Sequence, residues 1–387
     1  MAEDRRSSEP DQGYLRAIRA RLEFLLSSGL RPETGTLLRR MRGAPLEELL
    51  AVRPDLTTSS ESIANAATSE AFEPHPLDYH WTFCPETVDR VSATLMARAE
   101  PVVVVGAPTI ADRLKERGKQ FTFIDRNPLF RPDLTLDLVA EEAPQQRRLE
   151  SSIPRTFFLD PPWYPDYVAA WLNFVALHCK PVQTIFMSLW PELTRPSAEA
   201  ERKTVIDWLS SCGDIVIHPD ALTYGVPTFE RLTYEARQLA VPTPWRTGDL
   251  IELRCSEEFL PPRKMERSWT TWQRYVIGRR QLAFKLAVDR RPPEVEAVGF
   301  PSGHFHLQSV SRRDPIRREA NLLTSNNIAA RVAGLSYFLS AIELFYGQGL
   351  SMASLSHDQQ NALVLMRDIG CIETAEHTEF MSWQHRD

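Results

Sequence analysis

The sequence predicts an α/β fold whose central sheet is mostly parallel and is covered by helices on both faces. Three observations support this prediction. Short apolar runs alternate with amphipathic segments over much of the chain, polar residues follow directly after several of these runs, and one run ends in Asp-Pro-Pro-Trp-Tyr. A helical segment precedes this unit, and an α+β segment follows it.

The first strand is predicted at 101–105, where four consecutive valines are typical of a strand that is buried on both faces. A turn of Gly106, Ala107 and Pro108 follows. Thr109 is predicted to cap a helix that begins at Ile110. We expect this turn to contribute to a cofactor site, because the crevice of an open parallel sheet lies at the carboxyl ends of its strands.

The second strand is predicted at 121–124, after a helix that Gly118 ends. Asp125 closes this strand about twenty residues after Gly106, which is where an acid reaches ribose hydroxyls in nucleotide-binding α/β domains. The alternative is that Asp125 is only a turn former. Asp137 follows shortly after Asp125, and we include it among the expected cofactor-binding residues.

The third recognisable strand ends in Asp160, Pro161, Pro162, Trp163 and Tyr164. Two successive prolines stop the strand and leave carbonyl groups free as acceptors. A carboxylate and a Pro161 carbonyl can accept both hydrogens of an NH2 group while an aromatic ring stacks on the group that carries the amine. We therefore predict catalytic roles for Asp160, Pro161, Pro162 and Trp163, and a substrate contact for Tyr164. The alternative is an ordinary acidic turn.

These motifs resemble those of class I S-adenosylmethionine-dependent methyltransferases that modify amines, which have an acid after the second strand and Asp-Pro-Pro-aromatic after the fourth. Tyr79-His-Trp-Thr-Phe-Cys-Pro-Glu-Thr and Val-Gly-Ala-Pro-Thr are similar to a smaller family named for N6-adenine methylation, which includes eukaryotic elongation-factor lysine methyltransferases. The resemblance covers residues 76–256. It implies a Rossmann-like class I methyltransferase sheet and S-adenosyl-L-methionine as the cofactor. The usual Gly-x-Gly-x-Gly is missing, and Gly106 alone is present.

The remaining strands and helices of this unit alternate in the same way. A helix at 167–179, a strand at 183–189, a helix at 198–209 and strands at 214–218 and 250–255 are predicted. The long segment 219–248 is a candidate substrate loop, or else a surface excursion. Trp190 is predicted to lie near the target amine, although packing explains it equally well.

Length and composition set the outer limits. A chain of 387 residues exceeds one typical core, and we predict a helical N-terminal region at 1–70, a methyltransferase domain at 71–260 and a basic α+β domain at 261–387. A hydrophobic content of 43% and a net charge of −6 are ordinary for a soluble protein. No apolar stretch approaches the length of a membrane span, and the first residues lack the apolar core of a signal peptide, so we expect a cytoplasmic protein without membrane association. The scattered cysteines and the pair His304 and His306 lack partners at ligand spacing, so no metal site is predicted.

The two flanking regions suggest partners. An amphipathic helix at 14–26 and shorter helices at 37–41 and 46–52, before a linker at 57–62, are predicted to pack on the central unit or on another protein.

Residues 263–331 hold fourteen Lys or Arg against six Asp or Glu, interleaved with aromatics. This pattern favours nucleic-acid binding, with an inward-facing aromatic core as the alternative. The expected substrate contacts there are Arg312, Arg313, Arg317 and Arg318. Helices at 335–346 and 358–369 follow, the second opened by a capping box of Ser356 and Gln359.

The sequence thus predicts an S-adenosylmethionine-dependent N-methyltransferase that acts on the N6 amine of adenine in DNA or RNA. Two alternatives remain open at this stage. One is protein lysine N-methylation, because lysine methyltransferases carry a similar motif. The other is a catalytically inactive, nucleic-acid-binding partner subunit, which the missing glycines would favour.

Overall fold

The structure is a computed structural model that contains two β-sheets. It describes residues 11–29, 40–54, 73–79, 81–139, 155–178, 182–236, 241, 244–256, 259, 269–286, 292–297, 307, 315–372 and 380–386. One sheet has seven strands and the other has six. A short segment, 73–79, lies between them and contacts both.

The seven-stranded sheet has the order β3-β2-β1-β4-β5-β7-β6. Its strands are β1 Val102–Val105, β2 Phe121–Asp125, β3 Leu134–Thr135, β4 Arg155–Leu159, β5 Val182–Leu189, β6 Gly213–Tyr224 and β7 Arg246–Cys255. Neighbouring strands from β3 to β5 are parallel, whereas β7 runs antiparallel to both β5 and β6. All residues of β1 and β4 are buried, including Arg155 and Thr156 at the start of β4. The four valines of β1 predict its burial. This is the Rossmann-like, mostly parallel sheet that the motifs predict.

Helices pack on this sheet in two pairs. The first pair is α3 (Pro85–Met96) with α4 (Pro108–Glu116), and the second is α5 (Pro165–His178) with α6 (Ala198–Ser210). The predicted cap at Thr109 is wrong. Helix α4 begins at Pro108 with Ala107 as its N-cap, because proline lacks an N–H and has a helical φ, which suits the first helical position.

The segment 219–248 is not a long loop. Its first residues extend β6, residues Thr228–Ala236 form helix α7, and its last residues begin β7. The strands β6 and β7 pair along most of their length with one irregularity between His218 and Leu222. The predicted substrate loop is therefore a β-hairpin with a helix in its connection. The pairing of β6 with β7 brings Tyr224 into the interior.

The N-terminal helices pack on the seven-stranded sheet unit. Helix α1 spans Gln12–Ser27 and α2 spans Leu46–Val52. The Tyr14 hydroxyl donates to the Leu193 carbonyl at 2.6 Å. The Arg42 guanidinium pairs with Glu192, Asp220 and Asp249, the last of which is fully buried. Residues 37–39 and the linker at 57–62 lie outside the described residues.

The six-stranded sheet is antiparallel, with the order β10-β12-β11-β9-β8-β13. Its strands are β8 Thr271–Ile277, β9 Arg280–Lys285, β10 Glu294–Ala297, β11 Leu322–Thr324, β12 Ala329–Ala333 and β13 Phe380–Arg386. Helices α8 (Pro315–Glu319), α9 (Leu335–Ile342) and α10 (His357–Asp368) accompany it, and a π-helical turn continues α9 to Gly347. The capping box of Ser356 and Gln359 is confirmed. His304 and His306 lie outside the described residues.

Within the part of the chain that the structure describes, no helix is long and apolar enough to cross a bilayer. The same residues contain no cluster of three or more His, Cys, Asp or Glu side chains arranged to hold a metal ion.

Candidate active site

A pocket that opens to solvent lies at the carboxyl ends of β1, β2 and β4. Five of the residues that the sequence singles out lie on its wall: Gly106, Asp125, Asp137, Asp160 and Pro162. The parallel sheet brings them together because each follows a strand that ends at the same edge.

Gly106 forms the turn after β1 with a φ of 66°, which L side chains rarely adopt. A Cβ at this position would lie 2.3 Å from the Trp171 ring and 3.2 Å from the Asp160 carbonyl oxygen. Trp171 also lines the pocket. The single glycine is therefore required by the close approach of α5. Ala107 and Pro108 are buried behind it at the start of α4 and are not part of the pocket wall.

Asp125 ends β2, and its Oδ1 accepts a hydrogen bond from the Asn127 backbone N–H at 2.8 Å. Burial raises the pKa of Asp125 to about 7, and the nearby negative charge of Asp78 acts in the same direction. Asp137 lies beyond β3 on the same wall, so the two acids predicted to bind cofactor share one pocket.

Asp160 follows β4 and is held by two hydroxyl groups of neighbouring strands. The Ser188 hydroxyl of β5 donates to Asp160 Oδ1 in a short hydrogen bond, and the Tyr224 hydroxyl of β6 donates to the same oxygen at 3.1 Å. Burial raises the pKa of Asp160 to about 7, while both hydrogen bonds act to lower it. The described residues make no hydrogen bond to Oδ2, so this oxygen is available to a ligand.

The remaining residues of the motif divide between the pocket and the core. Pro162 lines the pocket, and its carbonyl accepts a hydrogen bond from the Tyr164 backbone N–H at 2.6 Å. Pro161 is buried. Trp163 is 4% exposed and packs edge-on against Trp81 at 4.8 Å, so it supports the pocket wall from behind and does not form it.

Tyr164 lies beside the pocket in a group of aromatic rings. Its ring contacts Tyr79 at 5.9 Å and Tyr167 at 6.5 Å, and the Arg195 guanidinium lies 5.0 Å from its centroid. Tyr79 and Tyr167 both line the pocket. Tyr164, the predicted substrate residue, therefore contacts two rings of the pocket wall but does not line the pocket itself.

Trp190 is fully buried, and its indole N–H donates to the Ala198 carbonyl at 3.1 Å. It packs in the core beyond the end of β5, so the structure supports the packing explanation and places Trp190 away from the pocket wall.

The predicted arginine contacts have different positions. Arg317 is 4% exposed and donates to the Tyr79 hydroxyl at 3.0 Å, so it is not part of an open basic surface. Arg318, the next residue on α8, is exposed. Arg312 and Arg313 lie outside the described residues. Of the four, Arg317 alone is shown in contact with a residue of the pocket wall.

Sequence reasoning missed Ser188, Tyr224 and Asp78. Ser188 stands in an ordinary apolar strand, and Tyr224 lies 64 residues after Asp160 in a segment that was interpreted as a loop. A polar residue inside the buried run of β5 was the available signal for Ser188, because such a residue needs a hydrogen-bond partner. Asp78 directly precedes Tyr79, the first residue of the motif on which the family resemblance rests.

Comparisons with known proteins give distant matches only. No family model matches the chain, and no curated protein matches it. Among solved structures, it is similar to the 23S rRNA methyltransferase ErmE, with 14% identity over 49% of this chain and 73% of that chain and a TM-score of 0.25. It is also similar to WbdD in complex with a kinase inhibitor, with 11% identity over 74% of this chain and 61% of that chain and a TM-score of 0.26. The Rossmann-like fold itself is shown by the strand order and the parallel pairing of the seven-stranded sheet.

Proposed function

We propose that this chain is an S-adenosylmethionine-dependent N-methyltransferase and that its target is the N6 amine of adenine in DNA or RNA. The observation that carries the proposal is the environment of Asp160. One oxygen of its carboxylate is held by Ser188 and Tyr224, and the carboxylate lies on the wall of a pocket that it shares with Gly106 and Asp125.

The cofactor would occupy the half of the pocket formed by Gly106, Asp125 and Asp137. Gly106 lies on the pocket wall, and the Asp125 carboxylate is suited to accept hydrogen bonds from ribose hydroxyls. When bound, S-adenosylmethionine supplies a methyl group that its sulfonium already activates, so the protein mainly has to align and protect the reacting groups.

Asp160 would bind and polarise the amine. Its Oδ2 can accept one N–H of the substrate, which stabilises the positive charge that develops on nitrogen in the transition state. A pKa near 7 also suits Asp160 to take up the proton that the nitrogen releases after it has gained the methyl group. Ser188 and Tyr224 hold the carboxylate in place, so that Oδ2 has a fixed direction.

Aromatic side chains on the pocket wall favour a planar substrate. Tyr79, Trp81, Tyr167 and Trp171 line the pocket, and a stacked base is worth about 1–3 kcal/mol. An adenine within a duplex would first have to leave the base stack. We therefore expect unpaired or mismatched sites to be methylated faster than paired ones.

Lysine methylation is the second candidate, and a specific observation favours it. Three carboxyl groups besides the Arg274-paired Asp78 line the pocket, from Asp125, Asp137 and Asp160, against one cation, Arg126. Such a wall attracts a cationic amine, although a lysine must also lose its proton before it can accept a methyl group. The third candidate, an inactive partner subunit, predicts that S-adenosylmethionine does not bind.

The three candidates are separated by incubating the pure protein, a methyl-labelled donor and a cell lysate, followed by separate nuclease and protease digestion. Label that nuclease releases as N6-methyladenine supports the main proposal, and label in lysine supports the second candidate. If no label is transferred and calorimetry shows no binding of S-adenosylmethionine, the proposal is wrong.

A further inference from the structure

Residues 73–79, which we call the strap, connect the six-stranded sheet to the pocket. The Glu73 backbone N–H donates to the Arg279 carbonyl at 2.9 Å, and the His75 ring lies 3.2 Å from the Leu323 carbonyl oxygen. Leu77 is fully buried in an apolar cluster with Trp272 and Leu323. The strap is thus packed into one face of the second sheet, while its last two residues, Asp78 and Tyr79, lie on the pocket wall.

Arg274 fixes the Asp78 carboxylate from the middle of β8. Its two terminal nitrogens donate to the two carboxylate oxygens at 2.9 and 3.1 Å. The side chains of Arg274 and Asp78 are 0% and 6% exposed, so this paired geometry is shielded from solvent. A buried bidentate pair adds geometric definition as well as energy. It is also sensitive to loss of one partner, because an unpaired charge is then left in the interior.

A continuous chain of hydrogen bonds runs from this pair to Asp125. The Asn127 side-chain amide donates to Asp78 Oδ2 at 3.1 Å, and the Asn127 backbone N–H donates to Asp125 Oδ1 at 2.8 Å. Asn127 is 1% exposed, which leaves its side chain little freedom. The orientation of Asp125 therefore depends on a residue that belongs to the second sheet.

Tyr79 is held by the second sheet unit in a separate way. The Arg317 guanidinium donates to the Tyr79 hydroxyl at 3.0 Å and lies 5.1 Å from the ring centroid. Tyr79 has a φ of 52°, a strained value for a residue that is not glycine. The contacts with Arg317, Tyr164 and Tyr167 hold the ring at the pocket wall against this strain.

We propose that the six-stranded sheet controls nucleoside binding in the pocket, with Arg274 and Arg317 as positioning residues that act through Asp78, Asn127, Asp125 and Tyr79. This inference rests on the proposed function, because it takes the nucleoside of S-adenosylmethionine as the ligand of Asp125. It gives the C-terminal unit a role inside the enzyme that does not require an exposed basic surface.

A double-mutant cycle tests the buried pair. We expect Arg274→Gln and Asp78→Asn each to weaken binding of S-adenosylhomocysteine about 5- to 100-fold, the usual range for coupling between sites. The double variant should lose much less than the product of the two effects, because the charges are then removed together. Calorimetry on the full chain measures the dissociation constants. Arg331→Gln is the matched control, since Arg331 pairs with Glu319 at 3.1 Å on an exposed part of the same sheet unit and should bind as the wild type does.

A second experiment avoids variants that fail to fold. Tyr79→Phe keeps the ring and removes only the hydroxyl that Arg317 binds, and we expect a several-fold loss of S-adenosylhomocysteine affinity in a protein that still unfolds in one cooperative transition. Hydrogen exchange on the wild type should show slower exchange in the strap and in β8 when S-adenosylhomocysteine is added.

The outcomes separate the two proposals. If the wild type binds S-adenosylhomocysteine but the Arg274 and Tyr79 variants bind it equally well, or if exchange in β8 does not respond, the role of the second sheet is wrong while the proposed function stands. If the wild type binds neither S-adenosylhomocysteine nor S-adenosylmethionine, the proposed function fails first.

Discussion

Two carboxyl groups at one edge of the same sheet are supported in different ways. Asp160 is held by Ser188 and Tyr224, which belong to neighbouring strands of its own sheet. Asp125 is held through Asn127 and Asp78 by Arg274, which belongs to the second sheet. Burial raises the pKa of both carboxyl groups to about 7. The two carboxyl groups therefore share a raised pKa, but Asp160 is held directly by its own sheet, whereas Asp125 is held through a chain of hydrogen bonds that reaches the second sheet.

The residues that hold Asp160, which we propose to act in methyl transfer, are thus distinct from those that hold Asp125, which we propose to bind the cofactor. The two hydroxyl groups that hold Asp160 lie within the seven-stranded sheet, so changes in the C-terminal unit should leave the geometry of this carboxylate intact. The nucleoside end depends on residues far away in sequence, so it should respond to them.

The largest effect is expected for Asp160→Ala. Removal of the acceptor should lower the rate of methyl transfer at least about 100- to 1,000-fold, the range seen when one transition-state hydrogen bond is lost. Cofactor affinity should stay within a few-fold of the wild type, because Asp125 is untouched. Single-turnover kinetics with labelled donor and calorimetry measure the two quantities. Asp89→Asn, on the exposed face of α3, is the control; wild-type turnover in Asp160→Ala would show that the assigned role is wrong.

Asp125→Asn should have the reverse profile. The amide replaces an acceptor oxygen with a donor, and we expect the dissociation constant for S-adenosylmethionine to rise about 10-fold or more. At saturating cofactor, the rate of methyl transfer should recover to near the wild-type value, since Asp160 keeps both of its hydroxyl partners. A large loss of the saturated rate with unchanged affinity would contradict the division between the two ends.

The pH profile tests the support of Asp160. Activity should rise with pH through about 7, because Asp160 accepts hydrogen bonds best when it is ionised and burial raises its pKa to about 7. Ser188→Ala and Tyr224→Phe each remove a donor that favours the ionised form, so the profile should move to higher pH and activity at pH 7 should fall about 10-fold. Ser210→Ala, at the exposed end of α6, is the matched control. A drop in activity with no movement of the profile would indicate a general structural defect.

The smallest effect concerns His385, which is 3% exposed with neither ring nitrogen hydrogen-bonded by a described residue. Burial, and then the charges of Arg126 and Arg274, lower its pKa well below the usual value. Because the folded protein keeps His385 neutral, only the unfolded state takes up a proton at this residue as the pH falls below about 6.5. The free energy of unfolding therefore decreases below about pH 6.5. Asp125 and Asp160 have raised pKa values and contribute in the opposite direction, with stability that is lost as the pH rises through about 7.

We therefore expect His385→Phe to be as stable as the wild type or more stable at pH 7, and to gain relative stability as the pH is lowered to about 5.5. Replacing an unpartnered buried polar group with an apolar ring of similar size removes a desolvation cost. Thermal unfolding of both proteins at each pH isolates this residue, because the carboxyl groups are common to both. A constant difference between the two proteins at all pH values would contradict the prediction.

Local sequence was sufficient to predict the sheet and half of the pocket. Gly106, Asp125 and Asp160 each directly follow an apolar run, and the rule that parallel strands end at one edge brings them together. Residues placed by long-range pairing were missed. Tyr224 reaches Asp160 only because β6 pairs with β7 and β7 pairs with β5. The hydrophobic pattern within these strands does not indicate which of their residues pair.

Thr109 is a good cap in isolation, but Pro108 fits the first helical position better, so the predicted helix start was wrong. The nucleic-acid surface that the excess of basic residues favours stays a prediction. Two of those basic residues, Arg274 and Arg317, point inward to Asp78 and Tyr79. A count of charges cannot reveal where their partners lie when those partners are about 200 residues earlier in the chain.

The most direct test is a crystal structure of the protein with S-adenosylhomocysteine bound. The account predicts ribose hydroxyls on the Asp125 carboxylate, the backbone of Gly106 beside the ligand, and the ligand sulfur facing the free oxygen of Asp160 across a gap that admits an amine. A ligand bound elsewhere, or one whose ribose lies away from Asp125 and whose sulfur faces away from Asp160, would contradict it.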